Sequence, residues 1–337
     1  MNMKNERTEP QGSRAHRRRR ILLALAVGIF LIILIMVATR LDIAVRTYSQ
    51  YTSKVSSPIR LAVIADLHSA WYGEKQEVLL ETIAAQKPDL LLLVGDIVDD
   101  RLPRDGAETL LQQIGRAYPC YYVTGNHEFW SGDVQEIKDY IRSCGIQVLE
   151  GDTLPVQVNG ETLSVSGVDD PDRNLEDIGC WSRQLDACKK ATDADCYSVL
   201  LSHRPERVED YRGSGFDLVL SGHAHGGQVR IPGLVNGIYA PNQGVFPSYA
   251  GGEYPLGETK MIVSRGLSKK ILPRIANRPE LVVVDILPDM ILSTKSPPDT
   301  CSSGGDSHVF NCHQPYSAAD SSSDAAAELS GVSSSQP

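Results

Sequence analysis

Leu90-Leu91-Leu92-Leu93-Val94-Gly95-Asp96-Ile97-Val98-Asp99 decides how this chain is read. Five consecutive apolar residues end on a glycine, and a carboxylate follows at once. A continuous apolar run of this length suits a strand buried on both faces, and the glycine suits a sharp turn just beyond it. The arrangement recurs. Leu61–Ala65 leads into Asp66-Leu67-His68, and Tyr121–Thr124 leads into Gly125-Asn126-His127-Glu128. Ser198–Ser202 leads into His203, and Asp217–Ser221 into Gly222-His223-Ala224-His225. Five strand ends therefore present oxygen and nitrogen donors, with no thiolate among them.

Between the early strands lie amphipathic stretches at Glu77–Ala85, Ala107–Arg116 and Val134–Arg142. Strand, helix, strand, helix, strand predicts an α/β fold that begins as a parallel sheet with right-handed crossovers. Asn159-Gly160 between Leu154–Val158 and Thr162–Val168 is a hairpin signal, so the second half is expected to turn mixed or antiparallel. Further apolar runs fall at Met261–Ser264 and Leu281–Ile286. The Pro-, Gly- and Tyr-rich stretch 231–257 reads as a long loop that walls the site behind the last histidine motif. The domain is expected over 59–290. Residues 298–337, rich in Ser, Ala, Gly and Asp, are too poor in large apolar groups to offset chain entropy and are expected to be disordered.

The N-terminus is of another kind. Residues 21–39 carry no charge, and nineteen residues of helix at about 1.5 Å each roughly span a bilayer core. A basic segment, 1–20, precedes this expected transmembrane helix, and a polar tether is expected over 40–58. Seven Lys/Arg before the span against three close behind it place the N-terminus in the cytoplasm and the domain outside it, at the cell membrane. A cleaved signal peptide is the rival reading; the long apolar run and the poor cleavage site Met36-Val37-Ala38-Thr39 favour an uncleaved anchor. Residues 1–60 carry +8 of charge, so within a whole-chain net of −9 the remainder carries −17. An acidic domain without a basic aromatic stripe argues against long nucleic acid as partner. Seven cysteines, none inside the motifs, leave disulfide pairing open, and the spacing of Cys180, Cys188 and Cys196 matches no zinc knuckle.

In an α/β sheet, ligands gather beyond the carboxyl ends of the strands, and neighbouring strands about 4.8 Å apart can share one small cluster. Asp-x-His or Gly-Asp alone is weak, since either can be an ordinary turn. All five motifs, each after a strand, point instead to a metal centre. Mixed Asp, Asn and His ligation suits two divalent ions, Mn²⁺ best, with Fe or Zn²⁺ as alternatives, and the hydrolysis of a phosphate ester.

Taken as a set, these motifs resemble the calcineurin-like metallophosphoesterases over roughly residues 59–288. Gly222-His223-Ala224-His225-Gly226-Gly227-Gln228 and Val263-Ser264-Arg265-Gly266-Leu267 resemble its membrane-anchored phosphodiesterase branch, which includes UDP-2,3-diacylglucosamine pyrophosphatases. The resemblance implies a four-layer α-β-β-α sandwich with a dimetal site at one edge. It implies Asp66, His68 and His225 on one metal, Asn126, His203 and His223 on the other, and Asp96 between them. A water or hydroxide between the metals would be the nucleophile, His127 the general acid, and Asp99 the residue that orients it. Where phosphoprotein phosphatases continue with Asp-Arg-Gly, this chain has Asp99-Asp100-Arg101. That departure turns the expectation toward a phosphodiester or pyrophosphate, lipid-linked or membrane-proximal, and leaves Arg204 and Arg265 as candidates to grip phosphate. A non-catalytic metal-binding sensor and a small-nucleotide phosphodiesterase are the alternatives.

Overall fold

The computed structural model describes residues 11–173, 179–269 and 273–289, and every apolar run named above within 59–290 forms a strand within two residues of its expected bounds. The tail 298–337 lies outside the described residues, as do Met1–Pro10 of the basic segment. Helix α1 (Gln11–Ala38) leads into β1 (Ala44–Thr52) and β2 (Ile59–Ile64). Helix α2 (Glu77–Gln86), β3 (Leu90–Val94), α3 (Asp105–Ala117) and β4 (Cys120–Val123) continue the alternation. Then come α4 (Asn126–Trp130), α5 (Val134–Ser143) and β5 (Gln147–Val148). The second half holds β6 (Asp152–Val158), β7 (Glu161–Gly167), α6 (Cys180–Ala191), β8 (Tyr197–Leu201), α7 (Val208–Tyr211) and β9 (Leu218–Ser221). A small ribbon of β10 (Tyr239–Ala240) and β11 (Gly244–Val245) precedes β12 (Gly252–Leu256), β13 (Thr259–Val263) and β14 (Glu280–Pro288).

Two six-stranded sheets result, in the orders β1-β14-β2-β3-β4-β5 and β12-β13-β9-β8-β7-β6. In the first, β2, β3, β4 and β5 are parallel, and β14 inserts antiparallel to β2. In the second, β13, β9, β8 and β7 are parallel, with antiparallel β12 and β6 at the edges. The Asn159-Gly160 turn closes the β6–β7 hairpin as expected, with Val158 paired to Glu161.

Strand periodicity assigns the layers. Leu90, Leu92 and Val94 of β3 point into a core shared with Val199, Leu201, Leu218 and Leu220 of the opposite sheet. Leu91 and Leu93 point the other way, onto Leu79 and Ile83 of α2, Leu110 and Ile114 of α3, and Ile137 and Ile141 of α5. Leu200 and Val219 meet Trp181, Leu185 and Cys188 of α6 and Tyr211 of α7. Helix, sheet, sheet and helix thus stack as a four-layer α-β-β-α sandwich. Full burial of each Leu or Val contributes about 1.5–3 kcal/mol, which is why these strands are apolar on both faces.

One expected segment differs. Residues 44–52, expected within a tether, form β1, which runs parallel to β14 with Ala44 opposite Glu280. Its partner lies more than two hundred residues away, so local sequence gives no sign of the pairing. As an edge strand it leaves one side to water, and Arg46, Thr47 and Ser49 are exposed there while Gln50 is buried. The connection from helix to sheet is therefore only residues 39–43. Within α1, His16–Ala38 is a helix long and apolar enough to cross a membrane, with a mean hydropathy of 3.3 over its most apolar 18 residues.

Candidate metal centre

The motif residues converge from both sheets. Asp66 and His68 follow β2, Asp96 follows β3, and Asn126 opens α4 after β4. From the second sheet, His203 follows β8, and His223 and His225 follow β9. Donor atoms of Asp66, His68, Asp96 and His225 lie within 4.8 Å of one another, and so do those of Asp96, His203 and His223. Asp96 belongs to both groups, as a carboxylate with two oxygens can. The resemblance implies a similar division around Asp96, with Asn126 added to His203 and His223.

Asp66, His68, Asp96, His223 and His225 all have φ between 48° and 66°. A non-glycine residue held in that left-handed region costs on the order of 1–3 kcal/mol and persists only where surroundings over-determine it. Here the backbone is pinned: Asp66 N–H donates to the Gly95 carbonyl at 3.0 Å and His68 N–H to the Asp96 carbonyl at 2.9 Å. The N–H groups of His223 and His127 donate to carboxylate oxygens of Asp66 and Asp96, each at 2.9 Å. Close approach also demands glycine at two points. A Cβ on Gly222 would stand 2.6 Å from Asp66 Oδ2, and one on Gly266, whose φ is +71°, 2.5 Å from Asp66 Cβ.

The donor atoms themselves test whether cations fit. Asp66 Oδ2, His68 Nε2, Asn126 Oδ1 and His203 Nε2 are buried and have no hydrogen-bond partner. Buried polar atoms are rarely left so, because each costs about 1–3 kcal/mol. The opposite ring nitrogens are occupied. His203 Nδ1–H donates to the Val94 carbonyl at 2.7 Å, and His68 Nδ1–H to Asp99 Oδ2 at 3.0 Å. Each bond fixes the tautomer that leaves Nε2 as a lone pair. His223 Nε2–H donates to Asn242 Oδ1 at 2.8 Å, which leaves Nδ1.

Charge tells the same story. Burial drives His223 and His225 well below the usual histidine range, so both are neutral donors. Burial also opposes charge on His203, but Asp96 and Asp66 beside it outweigh that and lift it to about 10. The carboxylates thus call for positive charge at this point, and divalent cations would supply it. The residues present fit two such ions.

Several neighbours were not legible as site residues. Glu128 is fully buried, and its carboxylate accepts the backbone N–H groups of Asp96, Ile97, Val98 and Gly125 at 2.7–3.0 Å. It clamps the turn that carries Asp96 to the start of α4. Burial and the Asp96 carboxylate raise it to about 7. An acid three residues into a helix that bonds back to the cap is the signal that could have found it.

His127 Nδ1–H donates to Asp100 Oδ1 at 2.6 Å, while Asp99 stands 3.7 Å from it and bonds His68 instead. Arg204 differs from expectation as well. It is 2% exposed, with Nε and Nη2 on Asp170 at 2.6 and 2.7 Å and Nη1 on Asn242 at 2.8 Å. Its fork is spent on Asp170, and Nη1 holds Asn242 beside His223. Arg265 lies beside the fully buried Glu280, with Nε 3.3 Å from its carboxylate. The stretch 231–257, expected as one long loop, carries β10, β11 and β12, and it walls the site: Tyr239 and Pro241 line a cavity of about 110 Å³ with Asp96, Asn126, His127 and Trp130. The cysteines among the described residues, Cys120, Cys144, Cys180, Cys188 and Cys196, are free thiols.

Comparison with known proteins agrees with this geometry. The family profile described as calcineurin-like phosphoesterase matches residues 59–227. An uncharacterized metallophosphoesterase of Aquifex aeolicus is 30% identical over 72% of this chain and 91% of its own length. The phosphodiesterase YaeI of Escherichia coli is 30% identical over 69% of this chain and 83% of its own. A transmembrane protein with metallophosphoesterase domain from Bos taurus is 27% identical over 66% of this chain, which spans 52% of that protein.

Proposed function

The chain belongs to the calcineurin-like phosphoesterase family, and from that premise we propose that it hydrolyses a phosphodiester or pyrophosphate bond with two divalent cations, Mn²⁺ best. The observation that carries this reading is the set of four orphaned buried donor atoms beside His127. Cations bound there would neutralise phosphate oxygens and acidify the attacking water. Asp66, His68 and His225 would hold one cation, Asn126, His203 and His223 the other, and Asp96 both.

The rest belongs to the chain. His127 lines the same cavity as Asp96 and Asn126, and Asp100 holds its Nδ1–H, so Nε2 is the atom that carries a proton to the leaving oxygen. Trp130, with its ring 4.8 Å from that of His127, limits water on one side. The exposed apolar helix supports an anchored enzyme and hence a lipid-linked or membrane-proximal substrate. The basic N-terminal flank supports a domain outside the cytoplasm, where UDP-linked lipid precursors would be out of reach. A topology reporter fused after residue 300 decides between those substrate classes.

His127→Ala is expected to retain both metals by elemental analysis and to lose about 10²–10⁴-fold of kcat toward bis(p-nitrophenyl) phosphate. Full activity in that variant would remove His127 from the mechanism.

A further inference from the structure

We infer that the loop face of residues 229–246, with Ile275, docks on the bilayer that holds the N-terminal helix and sets the mouth of the metal site at the lipid–water interface. This rests on the reading of His16–Ala38 as a membrane anchor.

The helix end is fastened to the domain. Ala276 N–H donates to the Ala38 carbonyl at 2.6 Å, and Ala44 N–H to the Pro279 carbonyl at 2.8 Å. Arg278 bonds the Asp42 carboxylate and, at 3.0 Å, the Ile43 carbonyl. The five residues 39–43 thus have no slack, and a segment that short could span only about 18 Å even if fully extended. Whatever surface surrounds residues 275–279 must lie close to the membrane.

That surface is the loop behind the last histidine motif. Arg230 N–H donates to the Ile275 carbonyl at 2.9 Å, and Ile275 N–H to the Gln228 carbonyl at 3.2 Å. Gln228 itself lines the metal-site cavity. Ile238 N–H donates to the Val229 carbonyl, and Phe246 N–H to that of Ile238, so the loop is one continuous patch. Among its eighteen residues Arg230 is the single charged one. Leu234 is 79% exposed, Phe246 68% and Val245 64%, and Ile231 and Ile275 are exposed with them. Large apolar side chains gathered in this way mark an interaction surface. Beside a membrane helix, the occupant that fits is the headgroup–acyl boundary, where Tyr239 at the cavity edge would also be at home.

The test uses the full chain reconstituted in phosphatidylcholine vesicles, with Leu234→Trp and Phe246→Trp as separate variants and the unaltered chain's emission subtracted. Tyr51→Trp is the control, because β1 carries Tyr51 roughly 23 Å along the strand from Ala44. Phospholipid brominated in its acyl chains is expected to quench the added emission at 234 and 246 about twofold or more, and that at 51 little. Equal weak quenching at all three positions, in vesicles from which alkaline carbonate does not extract the chain, overturns the docking. A blue-shifted but unquenched emission would assign the patch to a second copy or another protein instead. Extraction by carbonate would defeat the anchor and the docking together. None of these readouts involves turnover, so they stand apart from a failure of the phosphoesterase reading.

Discussion

Asp99 and Asp100 are adjacent carboxylates that serve different histidines. Asp99 Oδ1 accepts the N–H groups of Arg101 and Leu102, each at 2.9 Å, and this turn aims Oδ2 at His68. Burial raises the Asp99 carboxyl, but the bonds from His68 and those two N–H groups outweigh it and hold it down to about 2. Asp100 is left to face His127. Asp99→Ala should therefore weaken metal affinity by about 10–100-fold, as loss of a partner to a ligating histidine does. Asp100→Ala should keep metal content and lower kcat by about 10–100-fold through a disoriented acid. Metal analysis beside steady-state kinetics separates the two, and the reverse pattern would exchange their roles. The seven proposed donors could be picked out in the sequence because each follows an apolar strand. The choice between Asp99 and Asp100 was not, because it depends on the φ/ψ path of one turn. The partners of Arg204 were hidden for a related reason: nothing near it in sequence shows that its guanidinium bonds Asp170 and Asn242.

Elements from the two sheets must be locked together for their strand ends to share a site. Thr124, at the end of β4, donates its hydroxyl to Asp169 Oδ1 at 2.9 Å and accepts the N–H of Asp170 at 3.0 Å, just after β7. Lys138 of α5 completes the joint, with Nζ 2.7 Å from both Asp169 and Glu150, and it is 2% exposed. Removing it leaves the buried Asp169 carboxylate without that charge, a loss of about 3–5 kcal/mol. Lys138→Met should cost nearly as much as Lys138→Ala, since charge rather than volume is lost. Pairing Lys138→Met with Asp169→Asn should recover part of it. Urea midpoints of the solubilised chain measure all three, and a Met variant as stable as the parent would make the ion pair dispensable. The central strands were legible from their apolar runs. The edge strand β1 was not, because Ala-Val-Arg-Thr-Tyr-Ser-Gln-Tyr-Thr is polar and its register with β14 is set by distant residues.

At the scale of the whole molecule, the site is a polar centre to which both sheets contribute side chains, in a sandwich joined mainly by apolar packing. Without cations, Asp66 is raised by burial, and its Oδ2 has no hydrogen-bond partner. Cations held by donors of both sheets would then act as a cross-link between them, and their binding free energy would be part of the folding free energy. At a free metal concentration about 100 times Kd this linkage is worth about 2.7 kcal/mol. For a domain of this size that corresponds to roughly 5–10 °C in Tm. Treatment of the purified chain with a chelator is therefore expected to lower Tm by that amount as activity is lost, and Mn²⁺ should restore both. Hydrogen exchange should rise together at residues 65–69 of one sheet and 222–227 of the other, while β1, fastened by its nine-residue register to β14, stays protected. An unchanged Tm with exchange rising on one side alone would mean that the folded sandwich holds the donors in place unaided, with the cations needed only for chemistry.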